Sequence, residues 1–149
     1  MAKYFTYYEF IKSFTANKLG IDNTPTSSKV QDNILELMKV MDVIREEWTS
    51  YCKENYLGSP AIIVNSGYRS EALNKAVNGS KTSAHKIGAA CDFEALNGKN
   101  KELFEVTKKT LNKYNLAFDQ LIDEYDWSWI HLGLKNLEGK QRFQVKEID

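Results

Sequence analysis

The longest regular pattern in the chain is an apolar residue at every third or fourth position in its first half. The residues in this pattern are Val30, Ile34, Leu37, Met41, Ile44 and Trp48. Their spacing places all of them on one face of a helix. A capping box at Ser28–Gln31 marks the expected start of this helix, and Gly58-Ser-Pro60 marks its expected end. The pattern therefore predicts one long helix whose apolar face packs on a core.

Shorter helices are predicted on both sides of this long one. Thr6 and Glu9 have the spacing of a capping box, which predicts a short first helix ending near Phe14. Residues 70–77 fit one or two helical turns that close at an Asn-Gly pair. Asn97 or Asn100 is suited to cap a later helix that carries several apolar residues.

Strand-like segments separate these helices. Residues 61–66 form a β-branched run suited to a buried strand, and residues 88–95 fit a second strand. Residues 118–134 resemble a β-hairpin with a break near its middle. Phe143 and Val145 alternate with polar neighbours, which predicts a last edge strand. Because helices precede and interrupt a sheet whose later strands are adjacent in sequence, we expect an α+β fold with a mainly antiparallel sheet.

Composition and charge narrow the classes of function. A length of 149 residues predicts a single domain, residues 1–149, that buries its own core, and we expect a monomer. Twenty basic residues balance twenty acidic ones, so neither nucleic acid nor a membrane surface is an expected partner. Cys52 and Cys91 form no CxxC pair and are expected to be buried thiols. Without a recognisable signal sequence, we expect synthesis in the cytoplasm.

The chain has two histidines, and both lie in or beside strand-like segments that also carry acids. His85 stands seven residues before Asp92, and His131 lies in the second strand of the predicted hairpin. Two imidazoles and a carboxylate can supply the three protein ligands of a catalytic zinc site, which keeps a fourth position open for water. The chain between His85 and Asp92 must bend to bring both to one ion, and Gly88 permits the bend. Hydrogen-bonded structural histidines are the alternative.

An arginine and several acids could complete such a site. Arg69 follows a predicted strand, in a loop position suited to binding a carboxylate in bidentate fashion, although a surface salt bridge is the alternative. Glu124 precedes His131 by seven residues, so antiparallel pairing can bring its carboxylate beside the site. Asp123 and Asp126 are competitors. Because neighbouring strand residues alternate, at most one of Asp123 and Glu124 faces the site.

Three segments that carry these residues resemble a known family of enzymes. The segments are SGYRSEALNKAVNGSKTSAH, its continuation HKIGAACD, and FDQLIDEYDWSWIHLGL. They resemble the zinc D-Ala-D-Ala carboxypeptidases, the M15 group of peptidoglycan peptidases, which share their fold with the hedgehog signalling domain. FTYYEFIKS and GIDNTP are similar to the leader region of small M15 proteins of phage and bacterial genomes. The combination of S-x-H-x-x-G-x-A-x-D with a downstream W-x-H is the most specific part of the resemblance.

The resemblance implies a hedgehog-like α+β fold and a zinc site. It implies that His85, Asp92 and His131 bind Zn²⁺, and that Arg69 and Ser83 contact the substrate. The arginine would hold a carboxylate or the polarised carbonyl group, which also makes it a candidate catalytic residue.

One position departs from the pattern of many family members. Those members have an acid three residues before the last histidine, where this chain has Ser128, which cannot serve as a general base. Other relatives carry a glutamate at the end of the preceding strand, and Glu124 matches that arrangement with a slightly longer turn. The resemblance therefore implies Glu124 as the catalytic base.

The expected activity is hydrolysis of peptide bonds in the peptide stem of bacterial peptidoglycan. The enzyme would be a D,D- or L,D-carboxypeptidase or endopeptidase of the endolysin type, which reaches the wall after host lysis or on a virion. Ser128 leaves open a zinc-stabilised module that binds cell-wall peptide without cutting it. A metal-free structural protein whose histidines merely pack is a further alternative.

Overall fold

Five strands and four α-helices form the protein in a computed structural model that describes residues 3–148. The α-helices are α1 (Phe14–Leu19), α2 (Ser28–Asn55), α3 (Glu71–Ala76) and α4 (Asn100–Lys113). Two short 3-10 helices span Tyr7–Phe10 and Ala84–Ile87. The strands are β1 (Ile62–Ser66), β2 (Ala90–Ala95), β3 (Gln120–Glu124), β4 (Trp129–Gly133) and β5 (Gln144–Ile148).

The strands form one sheet in the order β1-β2-β4-β3-β5. Every neighbouring pair is antiparallel except β3 and β5, which run parallel. The predicted α+β fold with a mainly antiparallel sheet is therefore confirmed, as are the β3–β4 hairpin and the last edge strand. That edge strand begins at Gln144, one residue after Phe143, whose φ of 56° lies in the left-handed region.

The apolar face predicted for α2 lies in the core beneath the sheet. Ile34, Met41, Ile44 and Trp48 are completely buried there. They share one hydrophobic cluster with apolar residues of α4 and of the central strands. Within residues 3–148, no helix combines the length and the apolar composition that a membrane-spanning segment requires.

Both predicted ends of α2 are shifted. Ser27 caps the helix instead of Ser28, because its hydroxyl accepts a hydrogen bond from the amide of Val30 at 3.4 Å. The side chain of Gln31 donates to the carbonyl of Pro25, so the predicted Ser28–Gln31 capping box is wrong. The helix ends at Asn55, earlier than expected, because the next residue takes a left-handed conformation.

The prediction of one first helix ending near Phe14 is also wrong. The capping box of Thr6 and Glu9 is present, but it caps a 3-10 helix that ends at Phe10. At Ile11, φ is −123°, which breaks the helical path. A separate helix, α1, then begins at Phe14, with the hydroxyl of Ser13 accepting from the amide of Ala16 at 3.1 Å.

Neither asparagine proposed as a cap of α4 serves that purpose. Lys99 occupies the cap position and makes no side-chain capping bond. The side chain of Asn100 instead forms hydrogen bonds to other elements. Its Oδ1 accepts from the amide of Ala95 at 2.7 Å, and its Nδ2 donates to the carbonyl of Trp127 at 2.8 Å. One amide side chain thus ties the end of β2 to the turn of the β3–β4 hairpin.

Candidate metal centre

The side chains of His85, Asp92 and His131 lie together on one face of the sheet. Asp92 Oδ1 is 3.3 Å from His85 Nε2 and 2.9 Å from His131 Nδ1. One potential ligand atom from each residue lies within 4.8 Å of the other two. All three residues are largely shielded from solvent. The structure therefore brings together the three residues that the sequence pointed to as metal ligands.

Strand pairing and one glycine account for this convergence. Asp92 of β2 stands directly opposite His131 of β4 in the antiparallel register, so their side chains share a face of the sheet. His85 lies on the 3-10 helix before β2, and Gly88 ends that helix with a φ of 73°. A Cβ at Gly88 would also lie 2.8 Å from Ile34 Cγ1, so the predicted bend at Gly88 is confirmed.

Each imidazole is oriented by a neighbour. His85 Nδ1 lies 2.7 Å from the carbonyl oxygen of Gly67, and because a carbonyl can only accept, Nδ1 carries the hydrogen. The unprotonated Nε2 of His85 therefore points towards Asp92. His131 faces the same carboxylate with Nδ1, whereas His85 uses Nε2. The Nε2 of His131 lies close to Gly133. Hydrogen bonds of this kind are how proteins fix the tautomer of a metal-binding histidine.

The electrostatic environment favours the protonation states that a metal needs. Burial alone would raise the pKa of the Asp92 carboxyl, but the neighbouring His85 and the hydrogen bond that Asp92 accepts from His131 Nδ1 outweigh it and hold that pKa well below its ordinary value. Burial lowers the pKa of His85, and the attraction of Asp92 only partly opposes this. An ionised carboxylate and a neutral imidazole are the forms that bind a divalent cation.

Arg69 lies beside the cluster in the cavity wall and donates to the second oxygen of Asp92. Its Nη2 is 3.4 Å from Asp92 Oδ2, its Nη1 donates to Asn74 Oδ1 at 3.1 Å, and its Nε donates to Ser66 Oγ at 3.1 Å. Only 15% of the side chain is exposed, so a surface salt bridge does not describe it. Burial lowers the pKa of the guanidinium, and the charges of Asp92 and Glu124 oppose that effect.

Two supporting residues of the site were not predicted from the sequence. Gly67 supplies the carbonyl that orients His85, and a Cβ there would lie 2.3 Å from the carbonyl oxygen of Phe10. Asn74 connects Arg69 to the loop before the 3-10 helix, because its Nδ2 donates to the carbonyl of Ser80 at 2.9 Å. The glycine after β1 was a visible hint in the sequence, but nothing there distinguished Asn74.

Glu124 is the acid of the hairpin that faces the cluster. It lines a cavity of about 720 Å³ together with the three candidate ligands, and its Oε2 accepts from the indole Nε1 of Trp129 at 2.9 Å. Asp123 points to the opposite side, where it is buried and accepts from the amide of Trp127. Asp126 lies exposed in the turn and does not line this cavity. The expected alternation between Asp123 and Glu124 is therefore confirmed.

The two serines considered in the sequence have different positions. Ser83 lines the cavity, and its hydroxyl accepts from the amide of His85 at 3.2 Å, which caps the 3-10 helix. Ser128 donates to the carbonyl of Tyr125 at 2.6 Å and belongs to the hairpin turn. The position at which many relatives carry an acid is thus a turn position here.

Two imidazoles and a carboxylate that border a cavity, with a glutamate in the same wall, define a candidate metallohydrolase centre. The family model for Peptidase M15 matches residues 3–132, which include all of these side chains. The chain therefore belongs to the M15 peptidase family. A comparison with curated proteins found none that matches it.

Proposed function

We propose that this protein is a zinc-dependent peptidase that hydrolyses peptide bonds in the stem of bacterial peptidoglycan. The observation that carries the proposal is the shared cavity, in which Glu124 and the three candidate ligands form one wall region. Membership of the M15 family supports a peptidase. The choice of peptidoglycan rests on the resemblance of the sequence motifs to enzymes that act on that polymer.

The donor set fits zinc. Two imidazole nitrogens and one carboxylate oxygen are ligands that Zn²⁺ takes in catalytic sites, where a fourth position stays open. The carbonyl of Gly67 and the guanidinium of Arg69 hold His85 and Asp92, as outer partners do in stable zinc sites. Bound here, Zn²⁺ would supply Lewis acidity, which lowers the pKa of water from about 15.7 towards 7 and polarises a carbonyl group.

Glu124 is proposed as the general base and then the general acid. Its carboxylate takes a proton from the water that forms the new C–O bond, and it passes this proton to the amine nitrogen as the C–N bond breaks. The indole of Trp129 holds Oε2, so Oε1 remains available for the proton. Arg69 fixes Asp92 and directs its positive charge towards the site, where negative charge develops on the carbonyl oxygen. Ser83 would contact the substrate at the cavity wall.

The bond that is cut and the setting follow as further parts of the proposal. The cleavage would be of the D,D or L,D type, at a free terminus or within a cross-link. We place the enzyme among endolysin-type hydrolases, which reach the wall after release from the cell in which they are made. We expect it to act as a monomer on the peptide stem.

Digestion of purified peptidoglycan tests the activity. The zinc-loaded protein should release fragments with new amino and carboxyl termini, identified by mass spectrometry, which also gives the bond that is cut. A chelator should stop the release and added Zn²⁺ should restore it. Tight binding to the wall without any new termini would support the non-cutting module instead, and absence of zinc from the purified protein would favour the structural alternative.

Glu124→Gln tests the role of the base. The variant should keep its zinc and its thermal stability, while kcat falls by a factor of about 10²–10⁴ because the amide cannot accept the proton. Asp126→Asn is the matched control, since this exposed turn acid lies outside the cavity and its loss should leave kcat unchanged. Full activity of Glu124→Gln would contradict the assignment.

A further inference from the structure

The cavity continues past the candidate metal centre along β3. Alternate residues of this strand, Gln120, Ile122 and Glu124, line it. Ile122 stands opposite His131 in the register of the hairpin. Asp119 precedes Ile122 by three residues, which corresponds to about 10 Å of extended chain. Followed along β3, the cavity wall therefore runs from a first end at Glu124, past His131, to a second end at Asp119.

Arg142 forms the wall at that second end. Its Nε donates to Asp119 Oδ1 at 2.7 Å, and its Nη2 donates to Oδ2 at 2.8 Å. Asp119 is buried, whereas 43% of the Arg142 side chain is exposed. Within residues 3–148, no oxygen accepts a hydrogen bond from Nη1 of Arg142. The carboxylate of Asp119 thus fixes the plane of a guanidinium whose outer edge stays available to a ligand.

The two arginines of the cavity differ in what they can still bind. All three nitrogens of Arg69 donate to protein oxygens, and only 15% of its side chain is exposed. Arg142 uses two nitrogens on one side and keeps Nη1 free. A guanidinium binds a carboxylate best through an edge with unused N–H groups. Arg142 is therefore better suited than Arg69 to take a carboxylate from a substrate.

We propose that Arg142 binds a free carboxylate of the peptide substrate at the end of the cavity opposite Glu124. This inference rests on the proposed peptidase function and specifies its substrate class. A peptide that lies along β3 across the candidate metal centre could place that carboxylate up to about 10 Å from the scissile bond, within about three extended residues. The carboxylate would belong either to the chain terminus or to a side branch of the stem.

Binding of three synthetic stem peptides tests the proposal and identifies the carboxylate. The parent is L-Ala-γ-D-Glu-L-Lys-D-Ala-D-Ala with free carboxylates, the second peptide has a C-terminal amide, and the third has a carboxamide on the D-glutamate. Titration calorimetry is carried out on the zinc-loaded Glu124→Gln protein, which should bind without turnover. One of the two amidations should weaken binding about tenfold, the loss expected for a hydrogen-bonded charge pair.

Arg142→Gln, added to the same protein, should weaken binding of the parent peptide by about the same factor. It should also abolish the effect of the sensitive amidation. Lys140→Gln is the matched control, because it removes one positive charge two residues away, at a side chain that is 67% exposed and outside the cavity. Lys140→Gln should leave the binding of all three peptides unchanged. Equal weakening of all three peptides by Arg142→Gln, or no weakening, would overturn the proposal.

A second variant avoids leaving Asp119 buried without a partner. Asp119→Asn combined with Arg142→Gln keeps an amide pair in place of the ion pair and should lose the same discrimination between peptides. Discrimination that survives in the folded double variant would also overturn the proposal. Cleavage by the wild-type protein is scored separately. Peptides that bind with discrimination but are never cut would contradict the hydrolase proposal alone, whereas cleavage without discrimination would contradict only the role of Arg142.

Discussion

The two faces of the central strands are built from alternate residues of the same segments, yet they have opposite character. On β2, Cys91 and Phe93 are completely buried in the core, while Asp92 between them belongs to the candidate metal centre. On β4, Ile130 and Leu132 flank His131 in the same way. The core face is apolar and depends on shape and burial. On the other face, the candidate ligands are satisfied by specific hydrogen bonds.

This difference predicts that stability and chemistry can be changed separately. The core face supplies apolar burial, which dominates the free energy of folding. The site face buries a carboxylate, two imidazoles and a guanidinium, whose desolvation is unfavourable and is offset by their mutual contacts. Substitutions on one face should therefore leave the main property of the other face intact.

The largest expected effect lies on the core face. Phe93→Ala should lower the free energy of unfolding by about 3–5 kcal/mol, because it removes a fully buried ring. Urea denaturation in the presence of a chelator measures this without a contribution from zinc. Leu96→Ala, at a side chain that is 57% exposed, is the control and should cost much less. A similar small cost for both variants would remove the distinction between the faces.

Zinc should stabilise the protein through the site face alone. Free Zn²⁺ at about a hundred times its Kd should add about 2.7 kcal/mol, a rise in Tm of roughly 5–10 °C. His131→Ala should abolish this rise in a thermal unfolding experiment. Cys91→Ala, on the buried face of β2, should lower the starting Tm but keep the rise. A zinc-dependent shift that persists in His131→Ala would place the ion elsewhere.

Asp119 connects β3 to the segment before β5, and its contribution to the free energy of unfolding should depend on pH. The hydrogen bonds from Arg142 hold the pKa of the Asp119 carboxyl below its ordinary value despite burial. A carboxyl of this kind stabilises the fold above its unfolded pKa, near 4, and the stabilisation is lost as pH falls. Asp119→Asn should cost about 2 kcal/mol at pH 7 and progressively less below about pH 4. Urea denaturation between pH 7 and 3 measures this, and a constant cost would contradict it.

The smallest expected effect concerns the orientation of Glu124. Trp129→Phe keeps an aromatic ring but removes the indole N–H that donates to Glu124 Oε2. The value of kcat should fall about tenfold, equivalent to one hydrogen bond to a charged group, while zinc affinity and KM stay close to those of the wild type. Trp127→Phe, at a ring that packs on Phe104, should leave kcat unchanged. Equal losses in the two variants would indicate a general effect of the turn.

The features that the sequence predicted best depend on local periodicity. The apolar face of α2 and the alternation in the β3–β4 hairpin follow from the order of residues close in sequence, so both were predicted correctly. The ends of elements were less accessible. Asn100 resembles a helix cap, but two partners distant in the fold, Ala95 and Trp127, recruit its side chain. This competition between capping and tertiary hydrogen bonds cannot be predicted from the local sequence, because the tertiary partners come together only in the folded sheet.

The residues of the candidate site also fall into a group that the sequence indicated and a group that it did not. The sequence indicated His85, Asp92 and His131 as candidate ligands because rare histidines stand near an acid and a glycine, and because the motif resembles a known family. The partners that position Arg69 and Glu124 could not be named, since Asn74 and Trp129 acquire these roles only through tertiary contacts. Residues that can bind a metal are recognisable in a sequence from their residue type. Residues that only position them are recognisable from their place in the folded structure.

The amino-terminal 3-10 helix is also part of the scaffold of the centre. The carbonyl of Phe10 accepts from the amide of Tyr68 at 2.7 Å and lies close against Gly67, whose own carbonyl orients His85. Asn23 adds a second brace, because its Nδ2 donates to the carbonyls of both Ile11 and Tyr68 at 2.9 Å. Cleavage of the chain between Phe10 and Ser13 should therefore leave His85, Asp92 and His131 unchanged in sequence and still loosen the backbone that positions His85.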